Sequence, residues 1–423
     1  MRKLSLVVAC LAATSLTGCW LQPGFGPARQ NSTSTESAIT PSTVGNVVPM
    51  WSAPQVAGHA GQPLVTTKAV YTAEVVGAGG GAPDMVVTAN DRATGAQLWR
   101  RDLAASTLSN FERLLSVAGD KVLVLRAPDS GGLQFEELDG ATGATLRTQA
   151  LPPPIDPDSV LVDGDFVAYR SYDLDSPHAV TLVVRQLSDF SVVWSDQVSP
   201  SGLTLGPMVA SGGVVYTLFG NPDDPNRGVA GFNVGGCGAP TCNPVSLVGI
   251  PPPSPATPNV AYDILSAGDD GVIFIRRNSN IDGTVHGDLE LVGGSNPPTF
   301  TGFAHLDGMA TVPGAIYVVA GFGNATGPSA LLALNGRAAA QWRADVITFQ
   351  GEPIVAGGLV YAAGTDGLIR IYDAAGCGAG TCTALKVLDP GGGTIQGMSD
   401  SLGWIYVNVG GDNPRVVAFA LPT

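Results

Sequence analysis

Cationic residues are scarce in this sequence. Its 423 residues carry 21 Lys and Arg against 35 Asp and Glu, and charged residues of either sign make up only 13%. So acidic a surface is repelled by nucleic acid and by anionic headgroups, which excludes a DNA-binding role and leaves membrane contact to something other than overall charge. Histidine is also sparse. His59, His178, His286 and His305 share no paired spacing, so neither a metal-ligand pair nor a catalytic triad can be read from them. No segment sustains a 3.6-residue apolar repeat, the best being the short stretch Ser106 to Leu115, and no apolar run reaches the roughly 20 residues of a membrane-spanning helix. What is abundant is glycine, 56 residues, and proline, 32. That balance suits many short strands joined by tight turns and predicts an all-β chain.

The N-terminus has the layout of an export signal. Arg2 and Lys3 precede an apolar stretch from Leu4 to Leu16, which closes on Leu16-Thr17-Gly18-Cys19. Those last four residues resemble the lipobox of bacterial lipoproteins, in which the cysteine thiol takes a diacylglycerol and becomes the new N-terminus. The resemblance implies cleavage before Cys19 and two or three acyl chains there, enough to anchor a protein where one binds only marginally. An ordinary signal peptide with a chance cysteine is the competing reading. Cleavage removes Arg2 and Lys3, leaving 19 cationic residues against 35 acidic ones and a formal charge of −16. From Gln22 to Asn46 the chain is rich in Ser, Thr, Pro and Gly, a composition expected of a flexible tether. The expected organisation is thus a signal peptide over 1–18, a lipidated cysteine and tether over 19–46, and one domain over 47–423. Trp20, where an inner-membrane retention signal would have Asp, favours transfer to an outer membrane if the cell has one.

Within the domain a unit recurs in which a Gly- or Asp-containing turn leads into an apolar strand, and a second strand runs into Asp or Asn and another turn. Gly358-Leu359-Val360-Tyr361 with Ile371-Tyr372-Asp373 is one copy, and Lys68-Ala69-Val70-Tyr71 with Ala89 to Trp99 is another. Aligned on Tyr71, Leu123, Ala168, Tyr216, Phe274, Tyr317, Tyr361 and Tyr406, successive units lie 43 to 58 residues apart. A period in the forties filled by short strands matches one four-stranded β-propeller blade. Asp-x-x-Thr-Gly is then the turn from third to fourth strand, and Trp99, Trp194 and Trp342 are outer-strand residues packed against the next blade. Leu138-Asp139-Gly140-Ala141-Thr142-Gly143 repeats the turn without the Trp. The last unit stops after Arg415 to Leu421, its third strand. Val47 to Trp51 has the character of the missing fourth, so pairing of the N- and C-terminal strands is expected to close the ring and remove exposed edges. The expectation is eight four-stranded blades, or seven if the second or third unit is incomplete. The pattern Ala-x-Asp-x-x-Thr-Gly-x-x-x-Trp, best met by Ala89 to Trp99, resembles the pyrroloquinoline-quinone-like repeat family over roughly residues 47 to 423. That family includes quinoprotein dehydrogenases and the propeller lipoprotein of the outer-membrane assembly machinery, so the resemblance implies a blade and not an activity.

Cys10 falls in the signal and Cys19 in the lipobox. The other cysteines form two matched phrases, Gly236-Cys237-Gly238-Ala239-Pro240-Thr241-Cys242 and Gly376-Cys377-Gly378-Ala379-Gly380-Thr381-Cys382, each replacing the Thr-Gly turn of its unit. In an exported protein, disulfides Cys237–Cys242 and Cys377–Cys382 are expected, each stapling one hairpin. A four-cysteine zinc site would need all four sulfurs together, from pairs three units apart. Resemblance to quinoprotein dehydrogenases would imply a calcium in the central funnel, a catalytic Asp, a Trp beneath the quinone and a disulfide between adjacent cysteines. The sequence has no adjacent cysteines. The acidic groups Asp173 to Asp175, Asp223-Asp224 and Asp269-Asp270 lie among turn-forming residues without calcium-loop spacing. No catalytic residue, metal ligand or cofactor is therefore expected. The expected role is a non-catalytic scaffold of the cell envelope, held on the outer membrane or the outer face of the plasma membrane by lipid on Cys19. It would bind a protein or cell-wall partner through loops such as Pro152 to Asp158, Asn221 to Arg227 and Pro251 to Pro258. The alternative is a quinone-dependent oxidoreductase or another enzyme using the funnel.

Overall fold

The structure, a computed structural model, describes residues 19–56, 59–76, 84–103, 113–126, 132–151, 155–172, 179–199, 207–220, 227–250, 260–268, 273–281, 284–293, 299–300, 303, 305–321, 329–346 and 348–422. The chain is all-β. Among the described residues the only helical turn is the 3-10 segment Val44–Asn46, and no helix is long and apolar enough to cross a membrane.

The described strands form eight successive four-stranded antiparallel units. The first comprises Leu64–Val65, Ala69–Val76, Asp84–Asp91 and Gln97–Leu103; the second comprises Arg113–Ala118, Lys121–Arg126, Gln134–Asp139 and Thr145–Ala150. The third unit is as complete as its neighbours, running from Ile155–Asp163 to Val192–Ser199. Units 4 to 7 begin with Val209–Ser211, Val260–Ala267, His305–Val312 and Phe349–Ala356. The eighth holds Thr394–Ser401, Trp404–Gly410 and Arg415–Ala420, and its fourth strand is Val48–Pro54, paired antiparallel with Val48 opposite Ala420 and Trp51 opposite Ala418. Neighbouring units touch in chain order, and the innermost strand of the last meets that of the first. The fold is a closed β-propeller.

Tryptophan and glycine explain how neighbouring units lock. The indole Nε1 of Trp99 donates to Gly140 O at 2.9 Å, Trp194 to Val234 O at 3.1 Å and Trp51 to Arg92 O at 3.0 Å, each reaching the turn of the next unit. A Cβ on Gly143 would lie 2.6 Å from the Trp99 ring, and one on Gly95 2.6 Å from Trp51. Glycine is required there by that close approach as well as by φ of +71° and +73°. Where the second unit lacks the tryptophan, Arg147 takes its place. The guanidinium stacks 4.4 Å from the Phe190 ring centre and donates to Leu187 O and Ser188 O, both at 2.6 Å. In the turns themselves, Asp91 accepts from the Ala93 and Thr94 amides and the Thr94 hydroxyl, and Asp139 does the same with Ala141 and Thr142. The hydroxyl bond is the largest influence holding both carboxyls below their usual range.

Residues 19–46 depart from the tether expected of them. The carbonyls of Trp20, Leu21, Pro27, Ala28, Gln30 and Asn31 accept from the amides of Val65, Val117, Ala210, Ala267, Thr311 and Val355, at 2.7 to 2.9 Å. Ser32–Thr33 then pairs in parallel with Val355 and Ala356, and Glu36 accepts from the Gly403 amide at 2.5 Å. The segment thus bonds to units 1, 2, 4, 5, 6, 7 and 8 as a belt around the inner wall. Trp20 and Ile39 are fully buried. The physical reason is that an innermost strand has no sheet neighbour on the axis side, so its edge amides need acceptors, and the belt's backbone supplies them.

Candidate functional site at the mouth of the ring

Antiparallel order sets two faces. Turns from first to second and third to fourth strand lie on one face, and the remaining connections lie on the other. The amides that donate to the belt carbonyls, and the Gly403 amide that donates to Glu36, all fall at the C-terminal end of an innermost strand or in the turn that follows, so the belt crosses the channel mouth on the turn face. Cys19 begins the belt there. Its thiol is raised above the usual range by burial, against the opposing influence of Arg92 and a bond to the Thr67 backbone. The strand ends joined by 152–154, 221–226 and 251–259 lie on the opposite face; those three segments themselves are outside the described residues. So are the acidic groups Asp173 to Asp175, Asp223-Asp224 and Asp269-Asp270, together with His178 and the side chains of His59 and His286.

Cys237 and Cys242 are brought to a Cα separation of 5.7 Å, and Cys377 and Cys382 to 5.6 Å, within the span a disulfide needs. They occupy turns of units 4 and 7, and among the described residues no three metal-ligating side chains cluster. Each cysteine turn also reaches the preceding unit. Ser195 N donates to Pro240 O at 2.9 Å, Asp345 N donates to Cys382 O at 2.9 Å, and Thr381–Cys382 pairs in parallel with Arg343 and Ala344. Sequence spacing alone shows a staple within one hairpin, not this second attachment. With the bonds formed, replacing Cys377 and Cys382 together by Ser is expected to cost about 2 kcal/mol, read from the denaturant midpoint.

One cluster went unseen in the sequence because its members sit on strands joined through Ala315–Gly321. His305 Nε2 is 2.9 Å from Ser329 Oγ, which donates to Asp307 Oδ2 at 2.5 Å. The residue types match a hydrolytic triad, but the wiring does not. Nucleophile activation needs the carboxylate on the far ring nitrogen, whereas here Asp307 takes the serine proton and His305 Nδ1 is buried without a partner among the described residues. Ser329 is itself buried, which leaves its hydroxyl a structural link.

Two other acids are buried, one of them near the mouth. Asp400, fully buried on the last innermost strand, lies beside Glu36 of the belt and Tyr361; burial first, then the Glu36 charge, pushes its carboxyl well above the usual range. Glu74 is pushed up to about 7 by burial, which Val56 N–H and Arg100 only partly offset.

These features fit known propellers. The family model described as outer membrane protein assembly factor BamB matches residues 83–233. No curated protein matches the chain. Among solved structures, a europium-containing methanol dehydrogenase superposes with a TM-score of 0.64 at 13% identity, over 96% of this chain and 98% of its own. The quinohemoprotein alcohol dehydrogenase ADHIIG from Pseudomonas putida HK5 gives 0.64 at 13%, over 97% and 81%. BamB from Moraxella catarrhalis gives 0.51 at 14%, over 88% and 97%. The shared architecture is a β-propeller, and it spans both dehydrogenases and an assembly factor.

Proposed function

We propose that this protein is an exported envelope lipoprotein whose propeller is a non-catalytic scaffold for a protein or cell-wall partner. The observation that carries this reading is the place of Cys19 at the start of a belt tied to the turn face. Acyl chains on that cysteine would hold the turn face towards the membrane and direct the strand ends of the opposite face away from it. Likeness to an outer membrane assembly factor over residues 83–233 supports the envelope setting. Likeness to dehydrogenases at 13% identity supports the fold, and the wiring of His305, Asp307 and Ser329 offers no nucleophile. The cysteine pairs are read as disulfides formed after export, and the membrane as reached through Cys19.

Cys19→Ala is expected to move the protein from the membrane pellet to the soluble fraction or leave it as unlipidated precursor; unchanged fractionation with normal processing would overturn the anchor. A photocrosslinker placed in 152–158, 221–227 or 251–258 of the anchored protein is expected to trap a partner in intact cells, and one on the turn face is not. A rise in melting temperature on adding pyrroloquinoline quinone and calcium would favour the dehydrogenase reading instead.

A further inference from the structure

Beside Cys19, between units 1 and 8, the turn face opens into a cleft of about 420 Å³ lined by Thr67, Lys68, Asp91, Arg92, Ala93, Leu98 and Trp404. We propose that this cleft binds the phosphate of a membrane phospholipid, so that the turn face docks on the bilayer at a defined point as well as being tethered to it. The inference rests on the reading of Cys19 as the lipid anchor.

Three observations lead to it. First, the cationic groups are prepared and unspent. Arg92 is fixed by Nε donating to the Tyr406 hydroxyl at 3.1 Å, by Nη2 donating to Leu402 O at 2.9 Å, and by stacking 5.9 Å from the Trp404 ring centre. Its Nη1 holds no hydrogen bond among the described residues, and neither Lys68 nor Arg92 has an ion pair there. Asp91, the one acid in the lining, has an oxygen committed to the Ala93 and Thr94 amides and the Thr94 hydroxyl. Two cations against one acid in a single lining is the reverse of the balance in a mature chain with 19 cations against 35 acids. A fixed guanidinium with a mobile ammonium is a phosphate-binding pair.

Second, the lip of the cleft is apolar. Leu98 is 49% exposed and Leu402 39% exposed, and the half-buried Trp404 lies flat on Tyr406 with ring centres 6.2 Å apart. An indole and leucines beside basic groups is the combination that settles at the boundary between headgroups and acyl chains. Third, Cys19 stands near the cleft, since the carbonyl of the next residue, Trp20, accepts from the Val65 amide at 2.7 Å, two residues before Thr67. Acyl chains on that sulfur would enter the bilayer next to Lys68 and Arg92, placing both at the depth of lipid phosphates. The protein as a whole is acidic, so the attraction is local and short-ranged.

The test uses the processed lipoprotein and, as probe, dihexanoyl phosphatidylglycerol below its micelle concentration, followed by tryptophan fluorescence. The wild type is expected to bind it and Lys68→Gln with Arg92→Gln to bind about tenfold more weakly. Dihexanoylglycerol, which lacks the phosphate, is expected not to bind. Because Arg92 also supports Tyr406, the exposed Lys68→Glu is the second variant, expected to weaken binding with an unchanged melting temperature. Absence of binding, equal binding by both variants, or inorganic phosphate binding as tightly as the phospholipid would each overturn the proposal. Membrane fractionation separates it from the anchor: the double variant should still sediment with membranes. Binding lost with sedimentation intact removes only this cleft, whereas Cys19→Ala protein that stays in the pellet while the cleft still binds removes only the anchor.

Discussion

Expressed from Ser37 onward, without the belt, the propeller is expected to lose about 5 kcal/mol of stability, lowering its melting temperature by about 5 °C. Trp20 is fully buried in the core cluster that joins units 1, 2, 7 and 8 and packs edge-on against Phe25 at 5.2 Å. Truncating a buried tryptophan typically costs about 3 to 5 kcal/mol, so Trp20→Ala alone should produce much of the effect. The rest comes from the amides of Val65, Val117, Ala210, Ala267, Thr311 and Val355, which would exchange their belt carbonyls for water at a net cost of about 1 kcal/mol each. Ordering entropy of the belt acts in the opposite sense and keeps the total well below the sum of its contacts. Phe25, Arg29 and Asn31 all hold positive φ, at 75°, 51° and 52°, conformations that non-glycine residues keep only when surrounding contacts impose them. A melting temperature unmoved by the truncation would return the segment to the status of a tether.

Stability is also expected to fall as pH rises from about 5 to 8, and Glu74→Gln is expected to remove much of that fall. Glu74 has its carboxyl raised from the ordinary value of 4.5 to about 7, so the folded state holds a proton there that the unfolded chain has released. The stability linked to that proton is complete below the unfolded value and is lost as pH climbs through about 7. A shift of that size corresponds to about 3 kcal/mol at full ionisation. Asp400 acts in the same direction, since it too is raised and its ionisation would set a second charge beside Glu36 of the belt. The exposed turn carboxyls Asp91, Asp139 and Asp189 work oppositely: held low by their threonine and serine hydroxyls, they lose their contribution only as pH falls through their folded values. Denaturant midpoints taken across this range should converge for wild type and Glu74→Gln near pH 5 and separate by pH 8, the variant being the more stable. Parallel curves would show that Glu74 is ionised in the fold without penalty.

The repeat was legible because its chemistry is local. Asp, Thr and Gly at fixed offsets close one turn through their own hydroxyl and amide bonds, and the tryptophan of a fourth strand meets the glycine in the turn of the next unit. Those pairings recur from Trp51–Gly95 to Trp342–Gly376. The closing strand could be placed for the same reason, since Trp51 carries the motif. Cys19 and the cysteine pairs were likewise visible as residues. Other features left no mark in composition. Arg147 at a tryptophan position is recognisable only once Phe190 is seen beneath it, and the cysteine turns attach to the preceding unit through main-chain atoms that every residue possesses.

By itself, then, the sequence determined an all-β chain of turn-linked repeats, its closure by the first and last strands, and Cys19 at the close of a Leu-Thr-Gly-Cys phrase, because side-chain identity at short spacing controls each of these. Only the tertiary structure decided where that cysteine stands. A Ser-, Thr- and Pro-rich segment reads as tether when its side chains alone are weighed, yet its backbone carbonyls become necessary once a ring of innermost strands presents unpaired amides to one axis. That demand exists in the closed ring and in no local window of the chain. It draws residues 20–36 across the turn face and sets Cys19 near Thr67 and Arg92.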